Sequence, residues 1–289
     1  MMLNRNLELF IKVAECGSIT KVAKTYYITQ PAVSNALAKL ENELGVKLFF
    51  RDKRNGLILT DIGKQILTYA KQIENIDNLM YQAAYKENNL MGGRVRIAVL
   101  TSLVSTILSK ALREYRALYP HIDIEIKEGT PNEIFAMIED YSADFAISCS
   151  PFGKFHTATL IHDRIMAVYP PGSKENNTVS LNNPPDTLII NRPAYETILD
   201  HITSKDTVRL EKIILVQNAE TALRMVEDGV GVGIISEYTF ETLAPSCPKY
   251  PVLPEIKFDI GLFANDLNDL TPAAAELLRI INRLTAQSF

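Results

Sequence analysis

Gln30, Ser34, Asn35 and Lys39 lie off the apolar stripe of a stretch, residues 29–51, that reads TQPAVSNALAKLENELGVKLFFR. Amide, hydroxyl and ammonium groups so grouped can hydrogen-bond the base edges and phosphate oxygens of a nucleic acid. The stripe is Val33, Leu37, Leu40 and Leu44, stepping by four, three and four, which is the period of an amphipathic helix with one face on a core. Thr29 is placed to cap that helix, Pro31 sits in the first turn where a missing N–H costs nothing, and Gly45 suits its stop.

Positioning such a helix takes neighbours, and the flanking sequence supplies them. Leu3, Leu7, Phe10 and Ala14 repeat the four, three, four spacing and predict a first helix ending near Cys16, before Gly17. Ser18 is expected to cap a short second helix burying Ile19, Val22 and Ala23 and ending near Tyr27. A short helix, a tight turn and a longer helix make a helix-turn-helix. After it, residues 48–51 and 57–60 read as short strands joined through Asn55-Gly56, a strong hairpin signal. Arg51, Lys53 and Arg54 at its tip suit a phosphate backbone or a minor groove beside the inserted helix.

Residues 7–66 resemble the winged helix-turn-helix of the LysR-type transcriptional regulators. The match is carried in order by Phe10, Ser18, Ala23, Gln30-Pro31-Ala32-Val33-Ser34, Leu40-Glu41, Leu44-Gly45, Leu48-Phe49, Arg51, Leu59-Thr60 and Gly63. Asn35-Ala36 departs from the basic and branched apolar pair common in that family. The resemblance implies sequence-specific binding to promoter or operator DNA, with Ser18, Thr29, Gln30, Pro31, Ser34, Asn35, Lys39, Arg51, Lys53 and Arg54 at the interface.

Charge agrees with that placement. Residues 1–64 carry 10 Lys and Arg against 6 Asp and Glu, while residues 65–289 carry 20 against 28, so a net −4 hides a basic head on an acidic remainder. At 289 residues the chain has room for a small module and a larger one. No apolar run approaches a membrane span and no signal peptide is evident, so a cytoplasmic protein is expected. Cys16, Cys149 and Cys247 are odd in number and far apart, which suits reduced thiols, and His121, His156, His162 and His201 show no metal-ligand spacing with them. Neither metal nor cofactor is expected. Cys149, between two serines, is the best nucleophile on offer and has no base beside it in sequence, so no enzyme is expected.

From Asp61 to about Glu87, Ile62, Ile66, Tyr69, Ile73, Ile76, Met80 and Ala83 alternate steps of four and three opposite a polar face, the seam of a two-helix coiled coil. A homodimer, or a homotetramer using the C-terminal half as well, would present two recognition helices to pseudo-palindromic DNA half-sites. The expected division is 1–60 for the DNA-binding domain, 61–93 for the dimerisation helix and hinge, and 94–289 for an α/β domain.

Beyond residue 93, short apolar strands alternate with amphipathic helices, which predicts mainly parallel sheets. Tyr119-Pro120, Glu128-Gly129, Asp144-Phe145-Ala146-Ile147 and Gly231 with Gly233-Ile234-Ile235 make this half similar to the family's effector domain, itself like type 2 periplasmic binding proteins. The fold class is therefore α/β with an N-terminal winged helix-turn-helix. The resemblance implies two α/β subdomains, placed at 94–163 plus 265–289 and at 164–264, with crossings near 161–167 and 263–267. Ligands in such folds sit beyond the carboxyl ends of strands, at helix N-termini. Thr101, Ser102, Thr130, Ser148, Ser150, Arg192, Tyr195, Asn218 and Thr221 occupy those junctions and are the expected contacts to a small anionic effector, a carboxylate. Ser, Thr and Asn at such places also cap helices, and that reading stays open for each. Two others stay open for the whole chain: an oxidant sensor using Cys149 with Cys247, and a DNA-binding protein without a ligand.

Overall fold

The computed structural model describes residues 4–52, 56–86, 93–173, 178–184, 186–201, 212–243 and 246–286 of the 289. They form two compact units that divide at Gly93/Arg94, with residues 140–142 grouped with the first.

In the N-terminal unit, α1 (Arg5–Cys16), α2 (Ile19–Thr25) and α3 (Gln30–Leu44) are delimited by side-chain and glycine caps. Ser18 Oγ accepts from the Lys21 N–H at 3.3 Å and Thr29 Oγ1 from the Ala32 N–H at 3.3 Å. Gly17 and Gly45 stop α1 and α3 in the left-handed region, at φ 66° and 69°. The three helices bury Phe10, Ile11, Val13, Val22, Val33 and Leu37 against one another. Leu44, expected on the buried stripe, is 44% exposed, because α3 outruns the core in its last turn.

The wing is β1 (Phe49–Asp52) paired antiparallel with β2 (Gly56–Leu59), Phe49 opposite Leu59. Glu41 ties it to α3. Its carboxylate accepts from the Leu48 N–H at 2.9 Å and from the Phe49 N–H at 3.4 Å, and meets the Lys47 ammonium. Burial alone would raise this carboxyl, and the Lys47 contact with the two amides outweighs it, holding the group below its ordinary value. Thr60 Oγ1 then accepts from the Gly63 N–H at 2.9 Å as α4 (Asp61–Lys86) begins. Gly63 is required there: a Cβ would lie 2.2 Å from the Leu48 carbonyl oxygen.

The C-terminal unit is a mixed sheet with helices on its faces. β3 (Gly93–Leu100) leads into a continuous helical run, α5 (Thr101–Leu103), a π turn (Val104–Leu108) and α6 (Ser109–Leu118). Then come β4 (Ile122–Gly129), α7 (Pro131–Glu139), β5 (Phe145–Cys149) and the long β6 (His156–Val168). Next are β7 (Val179–Ser180), β8 (Leu188–Asn191), α8 (Arg192–His201), β9 (Ile213–Val216), α9 (Ala219–Glu227), β10 (Val232–Ser236) and α10 (Glu237–Leu243). β11 (Lys249–Leu253), β12 (Lys257–Ala264) and α11 (Pro272–Ala286) complete it.

Strand order is β4-β3-β5-β12-β6-β10-β8-β9. β3 with β5, β10 with β8, and β8 with β9 pair parallel as the alternation of strands and helices requires. β6 belongs to both lobes. Residues 156–164 pair with β12, and residues 165–168 pair with β10, so the outward crossing falls inside the expected 161–167. The return crossing does not fall at 263–267. β12 pairs with β5 along residues 260–263 and so lies in the first lobe, and the chain returns between Leu253 and Lys257. The strand that closes the second lobe, β11, carries Pro251, and that proline masks its strand character in sequence. Residues 257–264, expected in the second lobe, are therefore corrected to the first.

One buried ion pair pins the first lobe. Arg96 on β3 gives its backbone N–H to Asp144 Oδ2 at 2.7 Å and its guanidinium to Asp144 Oδ1 at 2.6 and 3.0 Å, with both side chains at most 4% exposed.

Candidate functional site

Two places deserve the chemical reading, one in each unit. In the first, Gln30, Pro31, Asn35 and Lys39 are exposed along α3 and Ser34 is half-buried. Ser18 and Thr29 spend their hydroxyls on capping α2 and α3, which fixes the angle of the turn between them. Tyr27 holds the connection at φ 54°, a left-handed value, and its ring is 96% exposed. Arg51 lies in β1, while Lys53 and Arg54 fall outside the described residues.

A groove of about 340 Å³ runs between the start of α1 and the exposed flank of α3. Asn35 and Lys39 line one side, and Arg5 and Asn6 line the other. Neither Arg5 nor Lys39 forms an ion pair among the described residues, so two unneutralised cations and two amides face one cleft. That set suits a phosphate oxygen. Sequence reasoning missed Arg5 and Asn6. The available signal was a basic residue directly after the α1 cap, Asn4, whose side chain accepts from the Asn6 N–H at 2.9 Å.

In the second unit, a cavity of about 30 Å³ lies between the two lobes. It is walled by Leu100, Leu103, Ile165, Ile235, Phe258 and Ile260, with Ser102, Cys149, Asn191, Thr197, Ser236 and Thr239 as its polar members. Of the nine expected effector contacts only Ser102 lines it. Thr101 opens α5 next to it. Thr130 gives its N–H to Glu133 Oε2 at 2.8 Å, ahead of α7. Asn218 Oδ1 accepts from the Thr221 N–H at 2.9 Å, so Asn218 caps α9 through the backbone of Thr221. Ser150 Oγ accepts from the Asp259 N–H at 2.9 Å. Arg192 is exposed, Tyr195 packs on the core, and Ser148 is wholly buried with its hydroxyl unpaired.

The polar residues of the cavity differ in how far they are already satisfied. Ser236 Oγ donates to Asp163 Oδ2 at 2.6 Å, and Thr197 Oγ1 donates to the Pro193 carbonyl at 3.0 Å and meets Cys149 Sγ at 3.0 Å. Asn191 is 5% exposed and its Oδ1 has no hydrogen-bond partner. An orphaned buried carbonyl oxygen costs roughly 1–3 kcal/mol and calls for an explanation. Burial pushes the Cys149 thiol up to about 11, despite the hydrogen bond with Thr197 that works the other way. Cys247 is raised too, first by burial. Neither has the thiolate character that oxidation by peroxide needs.

No helix among the described residues is long and apolar enough to cross a membrane. Among the described residues no cluster of side chains could hold a metal ion.

Comparison with known proteins gives two family matches that together span nearly all of the chain. Residues 4–64 match a bacterial regulatory helix-turn-helix protein of the lysR family, and residues 88–286 match a LysR substrate binding domain. An uncharacterized HTH-type transcriptional regulator of Bacillus subtilis, YoaU, is 38% identical over 285 residues, covering 97% of this chain and 98% of its own. Among solved structures, a full-length OxyR variant from Pseudomonas aeruginosa has a TM-score of 0.69 at 16% identity, covering 96% of this chain and 95% of that one. CbnR, a LysR family transcriptional regulator, has a TM-score of 0.61 at 19% identity, covering 96% and 98%, and has also been solved in complex with its target DNA. At such identities these two structures speak for the fold alone.

Proposed function

The chain belongs to the LysR family of DNA-binding transcriptional regulators, and we propose that it acts in the cytoplasm as a homodimer or homotetramer that recognises pseudo-palindromic operator DNA under control of a small carboxylate effector. The observation that carries the DNA half of this reading is the groove where Arg5, Asn6, Asn35 and Lys39 meet beside the exposed flank of α3. α3 supplies Gln30, Ser34 and Asn35 for base edges, and Arg5 and Lys39 hold the phosphates that fix its register.

Pairing follows from α4. Ile62, Tyr69, Ile73, Ile76 and Met80 are between 39% and 58% exposed along one stripe, a row that a second copy of the helix would cover. The effector reading rests on the cavity between the lobes. A ligand touching both lobes biases their relative angle, and that bias is the population shift through which it would act on the DNA-binding heads. The buried, high-pKa Cys149 gives the oxidant-sensing alternative no support.

Binding to the intergenic DNA beside its own gene, measured at several salt concentrations, tests the DNA half. Ser34→Ala or Asn35→Ala is expected to relax sequence preference, whereas Arg5→Ala is expected to weaken all duplexes alike and to lower the salt slope by about 1. If both kinds of variant weakened every duplex equally, α3 would not be the reading helix.

A further inference from the structure

α1, α2 and α3 each run into a residue in the left-handed region. Two of them use glycine, Gly17 at φ 66° and Gly45 at φ 69°, and α2 uses Tyr27 at φ 54°. Hydrogen bonds fix that conformation. The Ile28 N–H donates to the Ala23 carbonyl at 3.0 Å and the Tyr27 N–H to the Lys24 carbonyl at 3.3 Å, the paired bonds of a helix end at which glycine is the usual residue. Ile28 packs on the core just beyond, so the turn has no freedom to relax. A Cβ in the left-handed region crowds the following carbonyl, and tyrosine there costs stability that glycine or asparagine would not. The ring returns nothing within its own chain, since Tyr27 is 96% exposed, whereas Tyr141, left-handed at φ 60°, is half-buried.

The neighbours of Tyr27 suit an anion. Thr29, two positions on, caps the positive N-terminal end of α3, and Gln30 and Pro31 beyond it are exposed. Lys24, three positions back, is exposed and forms no ion pair among the described residues.

We propose that Tyr27 is a DNA contact that positions α3: its phenolic O–H donates to a phosphate oxygen beside the major groove, and Lys24 supplies the charge for the same stretch of backbone. The proposal rests on the DNA-binding reading above and adds a residue to it. A phosphate contact carries no base preference, so its role is to set the register in which Gln30, Ser34 and Asn35 meet base edges. The strained turn serves that role. Its backbone is already held by two hydrogen bonds, so little freedom is lost when the ring engages.

The test measures binding of the full-length protein to the intergenic duplex beside its own gene and to an unrelated duplex, at several salt concentrations, with the thermal midpoint of the N-terminal unit taken without DNA. Tyr27→Phe keeps the ring and the backbone and removes only the donor. It is expected to weaken both duplexes alike, by about tenfold, with midpoint and salt slope unchanged. Tyr27→Asn suits the left-handed backbone and is too short for the contact. It is expected to raise the midpoint by about 2–4 °C while weakening DNA binding at least as much. Lys24→Ala is expected to lower the salt slope by about 1.

Parent affinity in either Tyr27 variant overturns the proposal, as does an unchanged salt slope in Lys24→Ala. A lowered midpoint in Tyr27→Asn also overturns it, because the ring would then serve the fold, and so does altered sedimentation with DNA affinity retained, which would assign the ring to a second copy of the chain. Arg5→Ala separates the two levels. If it weakens binding and the Tyr27 variants do not, only this contact is lost, and if the unaltered protein binds no duplex, the proposal falls with the DNA-binding reading.

Discussion

Replacing Ile73 and Ile76 by glutamate should take the oligomer apart and leave each subunit folded. Both side chains are about half exposed in the single subunit, 48% and 56%, so neither is needed by the core of its own unit. Fully burying an isoleucine contributes about 1.5–3 kcal/mol, so covering the exposed half contributes roughly 1 kcal/mol at each site. A two-fold interface counts each site twice, which makes the loss about 2 kcal/mol for one substitution and about 4 kcal/mol for the pair. At about 1.4 kcal/mol per factor of ten, the double variant should dissociate roughly a thousandfold more readily, before any cost of burying the carboxylates is added. Sedimentation equilibrium measures this directly, with Gln65→Glu, on an exposed position of the same helix, as the control that should change nothing. DNA affinity for a two-half-site duplex should fall with it by about 10²–10⁴, because the second head is no longer tethered near its half-site. If Ile73→Glu/Ile76→Glu sedimented like the parent at low micromolar concentration, the apolar stripe of α4 would not be the seam.

Other consequences are local. Asp144→Ala strips an acidic partner from a guanidinium that is 4% exposed, and urea unfolding should show a loss of about 3–5 kcal/mol in the C-terminal unit. Gly63→Ala forces a Cβ to within 2.2 Å of the Leu48 carbonyl, and calorimetry should show the N-terminal unit destabilised by about 1–3 kcal/mol with the C-terminal unit unchanged. Glu41, whose folded-state carboxyl lies below its ordinary 4.5, binds fewer protons folded than unfolded. Its contribution is therefore complete above pH 4.5 and disappears as pH falls through the folded value, so Glu41→Gln should flatten the acid limb of the stability profile of the winged unit. An unchanged acid limb would mean that the clamp on Leu48 and Phe49 contributes nothing.

The N-terminal unit was legible in sequence because its signals are local. Ser18, Thr29, Gly17 and Gly45 each act within a turn of where they stand, and the stripe from Val33 to Leu40 is buried as its period predicts. Leu44 failed because the end of a core depends on what lies opposite, which the period does not encode. The groove was only half legible, since Arg5 reaches the flank of α3 through the packing of α1 on α3 and through nothing in its own neighbourhood. In the second unit the strands were found, but the return crossing was misplaced, because pairing of β12 with β5 is a contact between residues over a hundred positions apart.

The ligand-facing side chains posed a harder problem, since a helix cap and a ligand contact use the same atoms. Asn218 and Asn191 are the same residue type at the same kind of junction, a strand running into a helix. Asn218 is followed by Ala219, Glu220 and Thr221, all with N–H groups to give, and its oxygen takes the one from Thr221. Asn191 is followed by Arg192, Pro193 and Ala194, and although Ala194 keeps the third-residue N–H that Asn218 finds in Thr221, Asn191 Oδ1 has no partner. Proline two residues on does not by itself deprive a cap of its partner, since Thr29, followed by Pro31, still accepts from the Ala32 N–H, so what separates Asn191 from Asn218 is how its side chain is packed after folding.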